Sequence, residues 1–164
     1  MPTQQGNYQE SKIECDGKVY VLSFEKKSAR TILSVNGSAQ VIEKLQKSKN
    51  PVLVDSAVWV RLLPLEKQPH LSDGAVALLL ARKSKVSSRG QCGSGREIEL
   101  VFFDVRKFYF KRLSTYLIES CLDSVNMALD GQSMLDFMKI ENGELVGDFD
   151  DIHGEQGIRK FLKP

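Results

Sequence analysis

Histidine and cysteine, the residues that most often build catalytic and metal centres, are scarce in this sequence of 164 residues. The histidines are His70, in a proline-containing loop, and His153, in an acidic segment, and no Gly-x-Ser-x-Gly motif is present. Nucleophilic catalysis needs a serine or cysteine beside a base that a third group orients. Nothing in the sequence orients either histidine, so we expect a binding protein without enzymatic activity and without a cofactor.

The cysteine content excludes a disulfide framework. Cys15, Cys92 and Cys121 are odd in number, lie far apart and form no Cys-x-x-Cys pair. The sequence also lacks a secretory signal and any apolar run long enough to cross a bilayer. We therefore expect a cytoplasmic or nuclear protein without a membrane span.

Complete motifs for a metal ion or a nucleotide phosphate are missing as well. Residues 147–155 cluster four carboxylates and a histidine, but Ile152 stands where an EF-hand would need a third oxygen ligand. The glycine- and serine-rich residues 87–96 lack the Gly-Lys-Ser/Thr of a phosphate loop, and a strand follows them instead of a helix. These patterns predict a solvated acidic loop and a mobile basic arm.

The formal net charge of +2 hides an uneven distribution along the chain. Residues 82–112 carry a net charge of +6, and residues 113–158 carry −9. Such asymmetry is typical of a patch that binds a polyanion, unless the two blocks neutralise each other in the fold. Within the basic block, Phe108, Tyr109 and Phe110 are consecutive and cannot share one buried face, so one of them can be exposed for a partner.

Hydrophobic periodicity predicts an α+β fold in one domain, residues 1–164, with a flexible N-terminus, residues 1–10, and a candidate mobile tail, residues 147–164. Alternating segments and turn signals at Asp16-Gly17, Asn36-Gly37 and Asn142-Gly143 indicate antiparallel strands. Apolar residues at steps of three and four predict a short helix at 39–48 and a long one at about 105–130, with Asp104 as its N-cap. Ile158, Phe161 and Leu162 suit one further helical turn. The expected architecture is a mostly antiparallel twisted sheet of six to eight strands packed against one long C-terminal helix.

Two segments resemble known nucleic-acid-binding families. Residues 18–35 combine Tyr-x-Leu-x-Phe, a polar basic turn and Arg-x-Ile-Leu-x-Val, which resembles a PUR repeat. Residues 98–125, a strand followed by Asp104 and a predicted helix, are similar to the end of such a repeat and to Whirly proteins. The resemblance implies binding of single-stranded DNA or RNA on a twisted sheet, although the Gly-Arg dipeptide usual in PUR turns is Ala29-Arg30 here.

The sequence therefore predicts a homo-oligomeric, largely sequence-independent single-stranded nucleic-acid-binding protein. The basic arm supplies the predicted contacts Arg82, Lys83, Lys85, Arg89 and Arg96, and the resemblance to a PUR repeat implies the further contacts Lys26, Lys27 and Arg30. Two alternatives remain open. One is a module of pleckstrin-homology-like architecture that binds lipid headgroups or acidic proteins. The other is a self-assembling viral or structural protein in which the oppositely charged blocks meet between subunits.

Overall fold

Antiparallel strands make up most of the structure, a computed structural model that describes residues 8–25, 27, 30–43, 57–83, 96–120, 125–127, 134–152 and 155–161. The described elements are the strands β1 Tyr8–Cys15, β2 Lys18–Glu25, β3 Arg30–Val35, β4 Ser38–Glu43, β5 Ala57–Leu62, β6 Ala75–Lys83, β7 Arg96–Asp104, β8 Lys111–Glu119, β9 Val125–Met127, β10 Met138–Glu141, β11 Glu144–Ile152 and β12 Glu155–Phe161, with one α-helical turn, α1 Met134–Phe137. Short 3-10 turns cover Leu65–Lys67 and Leu71–Asp73.

The strands form three four-stranded sheets. The N-terminal sheet has the order β1-β2-β3-β4, and the central sheet has the order β5-β6-β7-β8, so neighbours in sequence are neighbours in space. In the C-terminal sheet β11 pairs with β12 along one edge, and with β10 and then β9 along the other.

Three two-residue turns set the register of the outer sheets. Asp16-Gly17, Asn36-Gly37 and Asn142-Gly143 all have positive φ at both positions, which is the type I′ geometry that suits the twist of a hairpin. The first and third turns form the hairpins that the sequence predicts. The second turn also forms a hairpin, which pairs Val35 with Ser38. The prediction of a helix beginning at residue 39 is therefore wrong, because the chain continues as β4; residues 44–48 lie outside the described part.

The central sheet is buried on both faces by the other two. On β6, Val76, Leu78 and Leu80 join a core with the N-terminal sheet. Alternate residues of the same strand, among them Leu79, join a core with the C-terminal sheet. On β7, Phe103 and Phe102 divide between the two cores in the same way. Burial on both faces explains why β6 is continuously apolar and does not alternate.

The predicted architecture of one sheet with a long C-terminal helix is wrong. Residues 111–119 of the expected helix form β8, which pairs along β7. Leu113 and Leu117 are four residues apart, a spacing that places side chains on one face of a strand as well as on one face of a helix. The buried β7 needs a ladder partner for its main-chain groups, and Tyr116 and Ile118 are residue types that favour strands.

The predicted helical turn at the tail is wrong too. It is the strand β12, in which Phe161 is buried and Ile158 is exposed, while Leu162 lies outside the described part. The α1 turn ends at Phe137, and Met138 begins β10. Within the described residues no helix is long and apolar enough to cross a membrane.

Because β6 is buried on both faces, truncating either of two adjacent side chains should destabilise the fold to a similar extent. We expect Leu78→Ala and Leu79→Ala each to lower the free energy of unfolding by about 2–5 kcal/mol, because each leaves a cavity in a different core. Leu65→Ala is the control, since that side chain is 45% exposed, and its loss should stay within about 0.5 kcal/mol. Urea unfolding measures all three. A loss below about 1 kcal/mol at either core position would show that one face of β6 is not packed.

Candidate binding site at the turn between β7 and β8

The predicted contact residues divide between two sheets. Lys27 and Arg30 are exposed in the N-terminal sheet, in the β2–β3 turn and at the start of β3. In the central sheet, Arg82, Lys83 and Arg96 occupy the ends of β6 and β7, where Lys83 and Arg96 are partners in the ladder. Lys26, Lys85 and Arg89 lie outside the described residues.

Arg82 lies beside a carboxylate within the central sheet. Its Nε lies 3.7 Å from Oε2 of Glu99, and the two side chains are only 15% and 25% exposed. The neighbouring carboxylate therefore compensates the guanidinium within the sheet. The nucleic-acid contact at Arg82 stays a prediction.

Exposed aromatic and basic side chains lie together between β7 and β8, in a segment that the sequence predicted to be helical. We call residues 105–112 the basic-aromatic loop; it holds four cations, Arg106, Lys107, Lys111 and Arg112. The Phe108 and Tyr109 side chains are 83% and 77% exposed. Their ring centroids are 5.0 Å apart and the planes are nearly perpendicular, at 89°. Two adjacent aromatic rings in solvent between four cations are unusual for a surface without a partner.

Gln40 of β4 holds the backbone of this loop from the N-terminal sheet. Its Nε2 donates a hydrogen bond to the carbonyl oxygen of Phe108. The backbone N–H of Phe110 donates to Gln40 Oε1 at 2.7 Å. The two bonds lie on either side of Tyr109, and Val105 and Phe110 pack against the core. The main chain is therefore anchored while Phe108 and Tyr109 project outward.

Asp104 anchors the other end of the loop. Its carboxylate accepts from the Arg106 backbone N–H at 2.9 Å, and from Nε and a terminal nitrogen of the same side chain at 3.1 and 2.8 Å. Hydrogen bonds from the Arg106 side chain, and then from its backbone, lower the pKa of Asp104 to about 2. Asp104, expected to cap a helix, thus closes a tight turn. The carboxylate also stays ionised at neutral pH and orients the guanidinium.

Gly74 makes room for the Arg106 side chain. A Cβ at position 74 would lie 2.2 Å from Arg106 Cγ, and Gly74 has φ of +77°, a conformation that favours glycine. Its carbonyl oxygen also accepts the Val105 N–H at 2.9 Å. The turn before β6 and the basic-aromatic loop therefore support each other.

A groove of about 780 Å³ separates the loop from β4. The side of the groove on the N-terminal sheet consists of Val35 and residues 38–41, and the other side consists of residues 105–110. None of these lining residues is acidic. The sequence did not predict the groove, because its spacing of apolar residues indicated helices at 39–48 and at about 105–130. The available signal was the run Arg-Lys-Phe-Tyr-Phe-Lys-Arg, in which aromatic residues stand between paired cations.

The acidic block does not neutralise the loop through the ion pairs found in the C-terminal sheet. Glu141 pairs with Lys139 at 2.7 Å, and Glu144 pairs with Lys160 at 2.9 Å, all within that sheet. Their carboxylates are thus committed to lysines of their own sheet. At the start of the basic-aromatic loop, Arg106 pairs with Asp104.

The described residues include no group of three or more histidine, cysteine or acidic side chains that could hold a metal ion. Burial raises the pKa of the Cys15 thiol, and the nearby Asp16 raises it further, which disfavours the nucleophilic thiolate. His153, Cys92 and Cys121 lie outside the described part.

Comparisons of the chain with protein-family models, with curated proteins and with solved structures found no match. The resemblance to PUR repeats and Whirly proteins stays a prediction, and the helix expected in its second segment is the strand β8. The C-terminal helix expected for a pleckstrin-homology-like module is likewise absent from the described residues.

The low pKa of Asp104 predicts a pH dependence of stability. A carboxylate whose pKa is lowered by folding stabilises the fold above its unfolded pKa of about 4, and this contribution disappears as the pH falls towards 2. Asp104→Asn should therefore lower the free energy of unfolding most at pH 5–7, and the difference from the parent should shrink at about pH 2–3. Urea unfolding across this range measures it, with the exposed Asp150→Asn as control. A difference that does not change with pH would contradict an ionised, hydrogen-bonded Asp104.

Proposed function

We propose that this protein binds single-stranded nucleic acid, largely independently of sequence, through the basic-aromatic loop. The observation that carries the proposal is the exposure of Phe108 and Tyr109 among four cations. Single-stranded nucleic acid offers unstacked bases beside a negative backbone, so a site for it combines aromatic rings with cations. The loop brings both features together within eight residues.

The two kinds of side chain serve different parts of the ligand. Bases stack on aromatic rings at about 1–3 kcal/mol per base, whatever their identity. Lysine and arginine pair with phosphates and displace counterions. Every nucleotide offers a base face for stacking and a phosphate for pairing, which supports binding that is largely independent of sequence.

Anchoring of the loop favours affinity. Gln40 holds the main chain beside Tyr109, and Asp104 orients Arg106, so less conformational freedom is lost when a ligand binds. A homo-oligomer, which the sequence suggested, would present several loops and raise the avidity for a long strand. Of the contacts predicted from the sequence, Lys27 and Arg30 are exposed in the N-terminal sheet, and Arg82 lies beside Glu99 in the central sheet.

Aromatic truncation tests the stacking contribution. We expect Phe108→Ala and Tyr109→Ala each to weaken binding of a fluorescein-labelled oligothymidylate of about 12 nucleotides by roughly 5- to 150-fold, because each removes one stacking surface. Fluorescence anisotropy measures the affinity. Ile158→Ala is the matched control, since it removes an exposed apolar side chain from the C-terminal sheet and should leave the affinity unchanged. Unchanged binding in both aromatic variants would overturn the proposal.

Salt dependence tests the electrostatic contribution. For single strands the slope of log K against log salt is about −0.7 per phosphate contact. Lys107→Ala combined with Lys111→Ala should therefore make the slope shallower by about 1.4, while Lys139→Ala in the C-terminal sheet should not change it.

The same titration decides between nucleic acid and a membrane surface. Exposed aromatic and basic residues also suit an anionic bilayer. Vesicles of phosphatidylserine and phosphatidylcholine provide the comparison. Binding to these vesicles without binding to the oligonucleotide at low salt would favour the lipid-headgroup alternative.

A further inference from the structure

The groove beside the basic-aromatic loop runs along an open strand edge. β4 is the last strand of the N-terminal sheet, and no strand in the described part of the chain pairs with its outer side. Gln40 lies on the same face of β4 as Ile42, which packs against the core, whereas Val41 lies on the opposite face and is 44% exposed. Because residues of both faces line the groove, it follows the edge of β4 and not one face of the sheet.

Hairpin geometry shows which main-chain groups face the groove. In a two-residue hairpin the flanking residues, here Val35 and Ser38, exchange hydrogen bonds, and the bonded pairs then alternate along the ladder. Gln40 is opposite Leu33 in the next bonded pair. The N–H and C=O groups of Ala39 and Val41 consequently point away from β3, towards the groove. An exposed row of this kind is a template for an added strand.

We propose that the groove binds an extended acidic peptide segment of a partner protein, which adds to β4 as a further antiparallel or parallel strand. Main-chain hydrogen bonds to Ala39 and Val41 would hold the peptide, as in other cases of strand addition. Side chains of an added strand point alternately to its two faces. One set would lie beside Val41 on the exposed face of the sheet, and the other set would lie on the face of Gln40, towards the cations of the loop.

Charge complementarity identifies the occupant. Arg106 and Lys107 form part of the wall opposite β4, and no lining residue carries a negative charge. Acidic side chains on the added strand would meet these cations, whereas basic side chains would be repelled. A second copy of this chain is a poorer fit, because pairing two β4 edges across a two-fold axis would bring like-charged walls together.

This inference does not rest on the proposed nucleic-acid function. The peptide is held by the β4 edge, and the oligonucleotide by the outward side chains of the loop. Both ligands use Arg106 and Lys107, so a bound acidic peptide should weaken oligonucleotide binding. A protein partner of this kind would therefore regulate the loop.

The experiment uses the full chain and a probe peptide of about eight residues that alternates valine and glutamate, a typical strand length. We expect saturable binding of the fluorescein-labelled peptide. The same sequence with every residue N-methylated keeps its charge but loses its N–H donors, and it should bind at least about tenfold more weakly, since several main-chain hydrogen bonds are lost. A peptide that alternates valine and lysine should not bind.

A variant tests the protein side of the same bonds. Ala39→Pro removes an N–H that faces the groove, a position where an edge strand tolerates proline. It should weaken peptide binding by about tenfold and leave oligothymidylate binding unchanged. Its urea midpoint shows whether it folds like the parent. If the variant does not fold, the parent and N-methylated peptides are compared on the unmodified protein, which tests whether main-chain hydrogen bonds hold the peptide.

Four outcomes overturn the proposal. Equal binding of the N-methylated peptide would mean attraction by charge alone, and equal binding of the lysine peptide would contradict an acidic partner. A change of native mass in Ala39→Pro would place a second copy in the groove, and loss of oligonucleotide binding alone would place nucleic acid there. Peptide binding that persists when the protein binds no oligonucleotide would support this inference and sink only the proposed function.

Discussion

Burial of β6 and β7 on both faces is the constraint on which the rest of the fold depends. Alternate side chains of these two strands fill two separate cores, one beside each neighbouring sheet. A strand without a solvated face cannot satisfy its main-chain groups with water, so it needs a partner strand along each edge. β5 and β8 supply those partners. Residues 111–119 accordingly form a strand, although the spacing of Leu113 and Leu117 also suits a helix.

The same constraint decides where a ligand can be bound. The faces of the central sheet are covered, so accessible chemistry in it lies at strand ends and turns. At the turn between β7 and β8, Asp104 and Gln40 use local hydrogen bonds to hold the backbone, which directs Phe108 and Tyr109 into solvent. The loop adjoins the open edge of β4, so one end of the molecule combines aromatic rings, cations and main-chain hydrogen-bonding groups.

Sequence patterns predicted the hairpins at Asp16-Gly17 and Asn142-Gly143, because positive φ at both turn positions depends on the residues themselves. They also indicated that Phe108, Tyr109 and Phe110 could not all be buried. The sequence patterns did not show where the binding site lies. Gln40 lies 68 to 70 residues from the backbone that it holds, and no local pattern records such a contact. The uneven charge also put Arg82 among the predicted contacts, and no local pattern shows that its guanidinium lies beside Glu99.

By itself, then, the sequence determined the turns, the alternating strands β1 to β3, the uneven charge and the presence of adjacent aromatic residues, since each of these depends on neighbours along the chain. Only the tertiary structure decided that residues 111–119 are a strand, that three sheets replace one, and that β4 and the basic-aromatic loop enclose a groove. These features depend on which distant surfaces must be covered and which main-chain groups must be paired. A spacing of four residues is compatible with both a helix and a strand. Residues 111–119 form a strand because the main-chain groups of β7 require hydrogen-bond partners.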